Sequence, residues 1–268
     1  MIVKNKPAMV IVFLILIGMG LCPGCANHQQ AKPTQSTSSE PDLSTTVNHQ
    51  NSDEAEGKTY CVAIDPGHQS EHIDMSAEEP IGPGASETKA KATGGTAGNF
   101  SGIPEYALNL DVSLALEETL KKRGYRVVLT RRDNETAISN VQRAALATSE
   151  NADIFIRIHA NGAEDAGASG ALAIVPSPEN PYIPTLSAPS EKLADTLLNH
   201  YCRATGFTNL GVQYSDSYSG NNWATMPVVL FEMGFMSNAH DDPLMADSAF
   251  RAKMVEGLAN GIDAYFKP

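Results

Sequence analysis

The chain has 268 residues and a formal net charge of −12 at pH 7. An acidic chain with no basic stripe is excluded from the nucleic-acid binders, which need clustered Lys and Arg against phosphate. Of its four cysteines, Cys22 and Cys25 close an N-terminal apolar run, so Cys61 and Cys202 are left for the folded part and form no Cys-x-x-Cys ligand pair.

Lys4 and Lys6 precede an apolar run from Ala8 to Leu21. That pattern, too short for a comfortable membrane span, predicts a secretory signal over 1–24. Gly24 before Cys25 resembles a bacterial lipobox, with Cys22 where Leu is usual. It points to Cys25 as a lipidated first residue, ahead of a cleaved soluble form or an uncleaved anchor. Residues 25–57 are rich in Ser, Thr, Gln, Asn, Asp and Glu with almost no large apolar side chains. They cannot bury enough surface to fold and are expected to be a tether. The stretch 58–268 is long enough for one sizeable domain.

Within it, Tyr60–Ile64 reads as a buried strand stopped by Asp65-Pro66-Gly67, with His68 immediately after. Residues 69–102 read as mostly loop, and a loop this long is functional or mobile. Pro104 opens a helix in which Leu108, Val112, Leu116 and Leu120 recur at helical spacing until Gly124. Tyr125–Thr130 is a strand, Ser139–Ser149 a helix, Asp153–Ile158 a strand and Gly170–Val175 another. Pro176–Pro189, with five prolines, reads as a rigid surface loop before a helix over Ser190–Thr205. Val212–Tyr214 is a short edge strand and Pro227–Phe231 a strongly apolar one. A last helix runs over Pro243–Tyr265, capped by Asp241 or Asp242. Alternating strands and helices predict a single α/β domain with a twisted, largely parallel sheet of about six strands flanked by helices. Cys61 and Cys202 can pair or remain thiols; the core position of Cys61 favours thiols.

Ligands in open α/β sheets bind beyond the carboxyl ends of the strands. His68, His159 and Glu232 all stand at such ends and share one rim if their strands are parallel. Two imidazoles and a carboxylate make a three-ligand zinc set with one position left for water. Glu105, in the first turn of a helix, is the best third ligand, with Glu87, Glu117 and Glu118 as rivals. Glu232, amid Val228, Val229, Leu230 and Phe231, is costly as a carboxylate, and burial raises its pKa, which suits a general base. Its bland alternative is a pair with Arg157 or Arg143. Asp65 is expected to hold the turn and to orient a histidine ligand. Arg157 and Asn161 are candidate supporting or substrate-binding residues. His72, in the long loop, reads as a surface position ahead of an approach to the site, His200 lies on a helix face and His240 in a polar loop, and Trp223 suits either a substrate groove or the core.

These residues together resemble the zinc-dependent N-acetylmuramoyl-L-alanine amidases of the amidase-3 class, bacterial cell-wall hydrolases. The landmarks are Ile64-Asp65-Pro66-Gly67-His68, Glu105 with Asn109-Leu110, Leu129-Thr130-Arg131, Ala152 to Asn161, and Pro227 to Asn238. The resemblance implies one zinc ion held by His68, Glu105 and His159, with Glu232 as the catalytic carboxylate. It also implies hydrolysis of the amide between N-acetylmuramic acid and the L-alanine of peptidoglycan. The expected place is the cell envelope, with a lipid anchor at Cys25 on the outer face of the membrane. The chain departs from the family in the route from His68 to Glu105, which spans 37 positions and implies an enlarged loop beside the substrate. A zinc carboxypeptidase or endopeptidase on wall peptides, and a non-catalytic wall-binding lipoprotein, are the competing readings.

Overall fold

The computed structural model describes residues 59–267. The expected signal over 1–24, lipidation at Cys25 and tether over 25–57 lie outside the described residues. In chain order the elements are β1 (Cys61–Pro66), β2 (Glu78–Pro80), β3 (Thr88–Ala90), α1 (Glu105–Lys122), β4 (Arg126–Leu129), α2 (Asn140–Ser149) and β5 (Ile154–Asn161). They continue with β6 (Ala171–Val175), α3 (Ser187–Thr205), β7 (Asn209–Tyr214), α4 (Ser219–Asn222), β8 (Val228–Phe235), α5 (Asp241–Ala246) and α6 (Ser248–Phe266).

Six strands form one sheet in the order β4-β1-β5-β8-β6-β7. Neighbours are parallel except β6 and β8, which run antiparallel. Successive side chains of a strand point to opposite faces, and both faces are covered, so the central strands are apolar throughout. Val62, Ile64, Ile156, Ile158, Val229 and Phe231 face one side. There they pack against Leu108, Val112 and Leu116 of α1, Leu193 and Leu197 of α3, and Met254, Leu258 and Ile262 of α6. Ala63, Phe155 and Val228 face the other side, against Ala144 and Ala147 of α2. The small alanines let α2 lie close to the sheet. Its start is fixed by a reciprocal cap: Ser139 Oγ accepts from Gln142 N–H, and Gln142 Oε1 accepts from Ser139 N–H.

The α/β class and the six-strand, mostly parallel sheet are as expected. Some boundaries differ, for local reasons. β5 and β8 run on through His159 and Glu232 instead of stopping before them, because β5, β8 and β6 keep pairing across this level. The proline-rich stretch passes through a 3-10 turn over Pro184–Leu186 and becomes α-helical at Ser187, since Pro189 sits in the first turn of α3, where a missing N–H costs no internal bond. The expected last helix is two helices: Asp247 is extended and its side chain accepts from Phe250 N–H, capping α6 afresh. Residues 69–102 are mostly loop, but β2 and β3 pair as a short antiparallel hairpin within it. Cys61 and Cys202 are free thiols, the first buried and the second half-buried.

Candidate metal centre and active site

β1, β5 and β8 lie side by side and parallel, so residues at their carboxyl ends gather on one rim. His159 on β5 stands in register with Glu232 on β8. In a parallel pair, residues in register project to the same face. That face is opposite Ile158, Phe231 and the main core. A cleft of about 1000 Å³ opens there, lined among others by His68, Glu105, His159, Asn161 and Glu232.

His68, Glu105 and His159 converge. His68 Nε2 lies 3.1 Å from His159 Nδ1 and 3.2 Å from Glu105 Oε1, and His159 Nδ1 lies 3.1 Å from the same oxygen. Glu87, Glu117 and Glu118 are not in this group; Glu117 instead pairs with Lys121 and Arg132. The backbone carbonyl of Thr93 lies 2.8 Å from His68 Nδ1. A carbonyl only accepts, so Nδ1 carries the proton and Nε2 turns its lone pair to the cluster. His159 Nε2 is buried without a partner, leaving Nδ1 as the atom that faces the cluster.

The charge states suit a cation. Burial drives the pKa of His159 down to about 4, so the ring is neutral at neutral pH. Burial pushes the Glu105 carboxyl up, but its bonds to His159 and His68 outweigh this and hold it well below the usual range. Thr96 N–H donates to Glu105 Oε2 at 3.0 Å, and Ala160 N–H and Asn109 Nδ2 donate to Oε1 at 3.2 Å each. Two imidazole lone pairs and a carboxylate oxygen have no satisfying arrangement among themselves without a shared proton or a cation. Ligand atoms around a tetrahedral zinc with bonds of ~2.0–2.1 Å stand about 3.3 Å apart, close to the triangle found here. The residues present therefore fit a zinc ion.

Two glycines permit this closeness. A Cβ on Gly67 would stand 2.3 Å from the His159 ring. One on Gly95 would stand 2.6 Å from Glu105 Oε2 and 2.8 Å from His68 Cδ2. The positive φ of Gly95, +81°, also favours glycine.

Glu232 is half-buried, and its Oε2 is sealed from solvent with no hydrogen-bond partner. Burial first, and then the negative charge of Glu105, raises its pKa to about 8 against the pull of Arg157. The expected alternative pairing with Arg143 or Arg157 is not made. Both guanidiniums go to Asp65, Arg143 Nη1 at 2.6 Å and Arg157 Nε at 3.0 Å. This also corrects one part of the expectation for Asp65, its contact with a histidine ligand. It is fully buried, accepts from Thr130, Arg143 and Arg157, and reaches neither histidine. Two cations on one side of the strand end capture its carboxylate before an imidazole can. Arg157 is almost fully buried, with Nη1 and Nη2 on Asn221 and Asn140, so it braces the cleft floor. Asn161 lines the cleft, and its Oδ1 accepts from Gly162 N–H. Trp223 donates from Nε1 to Pro80 O, pinning the hairpin and not lining the cleft. His72 and His240 are on the surface and His200 is half-buried.

Sequence reasoning passed over the roles of Thr93, Thr96 and Asn109. Asn109 had a readable signal, since it follows Glu105 by one helical turn and so shares its face. Thr93 and Thr96 sit in a Gly- and Thr-rich loop whose path the sequence pattern does not specify.

The family model described as Amidase_3, N-acetylmuramoyl-L-alanine amidase, matches residues 62–264. The N-acetylmuramoyl-L-alanine amidase Rv3717 of Mycobacterium tuberculosis is 28% identical over 76% of this chain and 85% of its own. The uncharacterized protein YqiI of Bacillus subtilis is 31% identical over 64% of this chain and 78% of its own. Among solved structures, the apo N-acetylmuramyl-L-alanine amidase Ami1 of Mycobacterium abscessus superposes with a TM-score of 0.70 at 30% identity, covering 78% of this chain and 99% of that one. With a matched family model over most of its length, the sheet of that fold and a His-Glu-His cluster on its rim, the chain belongs to the N-acetylmuramoyl-L-alanine amidase family and is a peptidoglycan amidase.

Proposed function

We propose that this amidase opens the bond between the lactyl group of N-acetylmuramic acid and L-alanine with zinc held by His68, Glu105 and His159, and with Glu232 as general base and acid. The observation that carries this reading is the triangle of three ligand atoms beside an unpaired, buried carboxylate oxygen. Zinc in such a site supplies a Lewis acid for the scissile carbonyl and lowers the pKa of water towards ~7. Glu232, made more basic by burial, would in its ionised form take a proton from the attacking water and return it to the departing amine of L-alanine. Thr93 holds the His68 ring in one tautomer, and Asn109 and Thr96 fix the Glu105 carboxylate in place. Gly67, with no side chain, leaves the space that the His159 ring occupies.

The family's substrate makes this a cell-envelope protein. No helix among the described residues is long and apolar enough to cross a membrane. We assign attachment to lipid on Cys25, with residues 25–57 as the tether to the catalytic domain, a reading supported by the sequence pattern.

Digestion of purified peptidoglycan with zinc-loaded protein tests the activity. Release of stem peptides with a free N-terminal L-alanine is the expected result. Cleavage within the stem would mark a carboxypeptidase or endopeptidase instead, and no metal-dependent release would leave a wall-binding protein. Labelled palmitate in the wild type and its loss in Cys25→Ala test the anchor.

A further inference from the structure

We propose that Arg131 is a positioning residue of the metal centre: one guanidinium locks the turn that presents His68 to the first turn of the helix that presents Glu105. His68 is one of two non-glycine residues with positive φ among the described residues, at +62°. A non-glycine residue there costs of order 1–3 kcal/mol and persists only where its surroundings over-determine it. The carbonyls around it are held from several sides: Arg143 donates to Pro66 O at 2.7 Å and to His68 O at 2.9 Å, and Asn109 Nδ2 of α1 donates to Gly67 O at 3.3 Å. Among the described residues, Arg131 is the one guanidinium that joins the turn to the backbone of α1. Arg131 Nε donates to Pro66 O at 2.9 Å and Nη2 to Gly67 O at 3.0 Å. Nη2 also donates to Tyr106 O at 2.7 Å, on the residue next to Glu105. Nη1 takes Asp133 O and Asn134 Oδ1, both at 2.9 Å.

Every acceptor of Arg131 is neutral, and the side chain is almost fully buried. That sets it apart from Arg143 and Arg157, which share the Asp65 carboxylate. A buried guanidinium without a carboxylate partner is expensive as packing. It is well used as a rigid, planar fork that fixes several carbonyls at defined angles. A lysine at this position keeps the charge but not the fork, since one ammonium does not span the carbonyls of Pro66, Gly67 and Tyr106 together. The two ligand segments are thus held in register before any ion arrives.

This inference rests on His68, Glu105 and His159 being the ligands, and the experiment separates the two. Zinc affinity is measured by chelator competition on folded protein well below its melting temperature, for wild type, Arg131→Lys, Arg131→Met, Glu105→Ala and Leu258→Ala. Leu258 is fully buried in the main core, and its truncation supplies a comparable loss of stability away from the site. Both Arg131 variants are expected to bind zinc 10–100-fold more weakly, the usual effect of removing a residue that orients a metal ligand. Leu258→Ala is expected to bind within about twofold of wild type. The visible spectrum of the cobalt-substituted protein is expected to change in Arg131→Lys and not in Leu258→Ala. Wild-type affinity in Arg131→Lys, or an equal loss in Leu258→Ala, overturns the proposal. If Arg131→Met fails to fold, Arg131→Lys decides alone. Unchanged affinity in Glu105→Ala overturns the ligand set and the proposal with it. Loss in Glu105→Ala with none in Arg131→Lys overturns only the role of Arg131.

Discussion

Replacing Glu232 by Gln is expected to stabilise the metal-free protein, and to do so more as pH rises. The Glu232 carboxyl is shifted from an ordinary value of 4.5 to about 8 in the folded chain. A carboxyl with a raised folded-state pKa binds its proton more tightly when folded. Folding therefore carries no ionisation cost below pH 4.5, loses stability as pH climbs, and bears the whole cost above pH 8. The shift of about 3.5 units at ~1.4 kcal/mol per unit sets that cost at about 5 kcal/mol. The amide is neutral at every pH and nearly isosteric, and it inherits the same unpartnered pocket around Oε2. Urea unfolding of both proteins in chelator, at pH 5 and pH 9, gives the difference directly. The advantage of the variant is expected to grow by about 4 kcal/mol between those two values. All other titrating groups are common to both proteins and cancel. A difference that stays constant within about 1 kcal/mol would refute the reasoning, because Glu232 would then ionise in the fold as freely as in the unfolded chain.

The same variant, loaded with zinc, is expected to keep wild-type metal content by atomic absorption and to lose turnover on peptidoglycan; near-normal activity would remove Glu232 from the chemistry. Glu105→Ala is expected to lower zinc affinity strongly, because it deletes one of three ligands and strands the buried N–H of Ala160 and the partly buried N–H of Thr96. Gly67→Ala places a methyl 2.3 Å from the His159 ring. It is expected to abolish metal binding at a stability loss of about 1–3 kcal/mol, read by chelator competition and thermal melting together. Ser139→Ala removes one half of the α2 cap and is expected to cost about 1 kcal/mol in a urea titration with metal affinity unchanged.

The parts of this molecule that were legible in the sequence are those governed by local periodicity. Apolar runs ending at His68, His159 and Glu232 set three parallel strands and hence one rim, because side-chain alternation and strand order suffice for that. Glu105 was legible as a helix start. Asp65 was not, because its partners come from β5, α2 and the residue after β4, and no local pattern says which cation arrives first. Nor was the extension of β5 and β8 past the site residues, which follows from pairing across the sheet. The break at Asp247 turned on a single side-chain cap inside an otherwise continuous helical pattern.

The long segment between His68 and Glu105 shows why that division falls where it does. As sequence it has Gly, Ala, Ser and Thr throughout and few apolar anchors, and it reads as mostly loop. In the fold it is held by hydrogen bonds from groups far away in the chain: the Val141 backbone N–H donates to the Glu79 carboxylate, Asn140 Nδ2 to Lys91 O, Asn222 Nδ2 to Ile81 O and Trp223 Nε1 to Pro80 O. Asp242, itself buried, accepts from Phe100 N–H, Ser101 N–H and Ser101 Oγ. Through that scaffold Thr93 reaches His68 and Thr96 reaches Glu105. The loop is thus built into the ligand set at two of its three members. If that is its role, Asn222→Ala and Asp242→Ala, which touch no ligand, should each weaken zinc binding while leaving the sheet intact. Chelator competition with far-ultraviolet circular dichroism checks both, and unchanged affinity in the two variants would reduce the loop to a wall of the cleft.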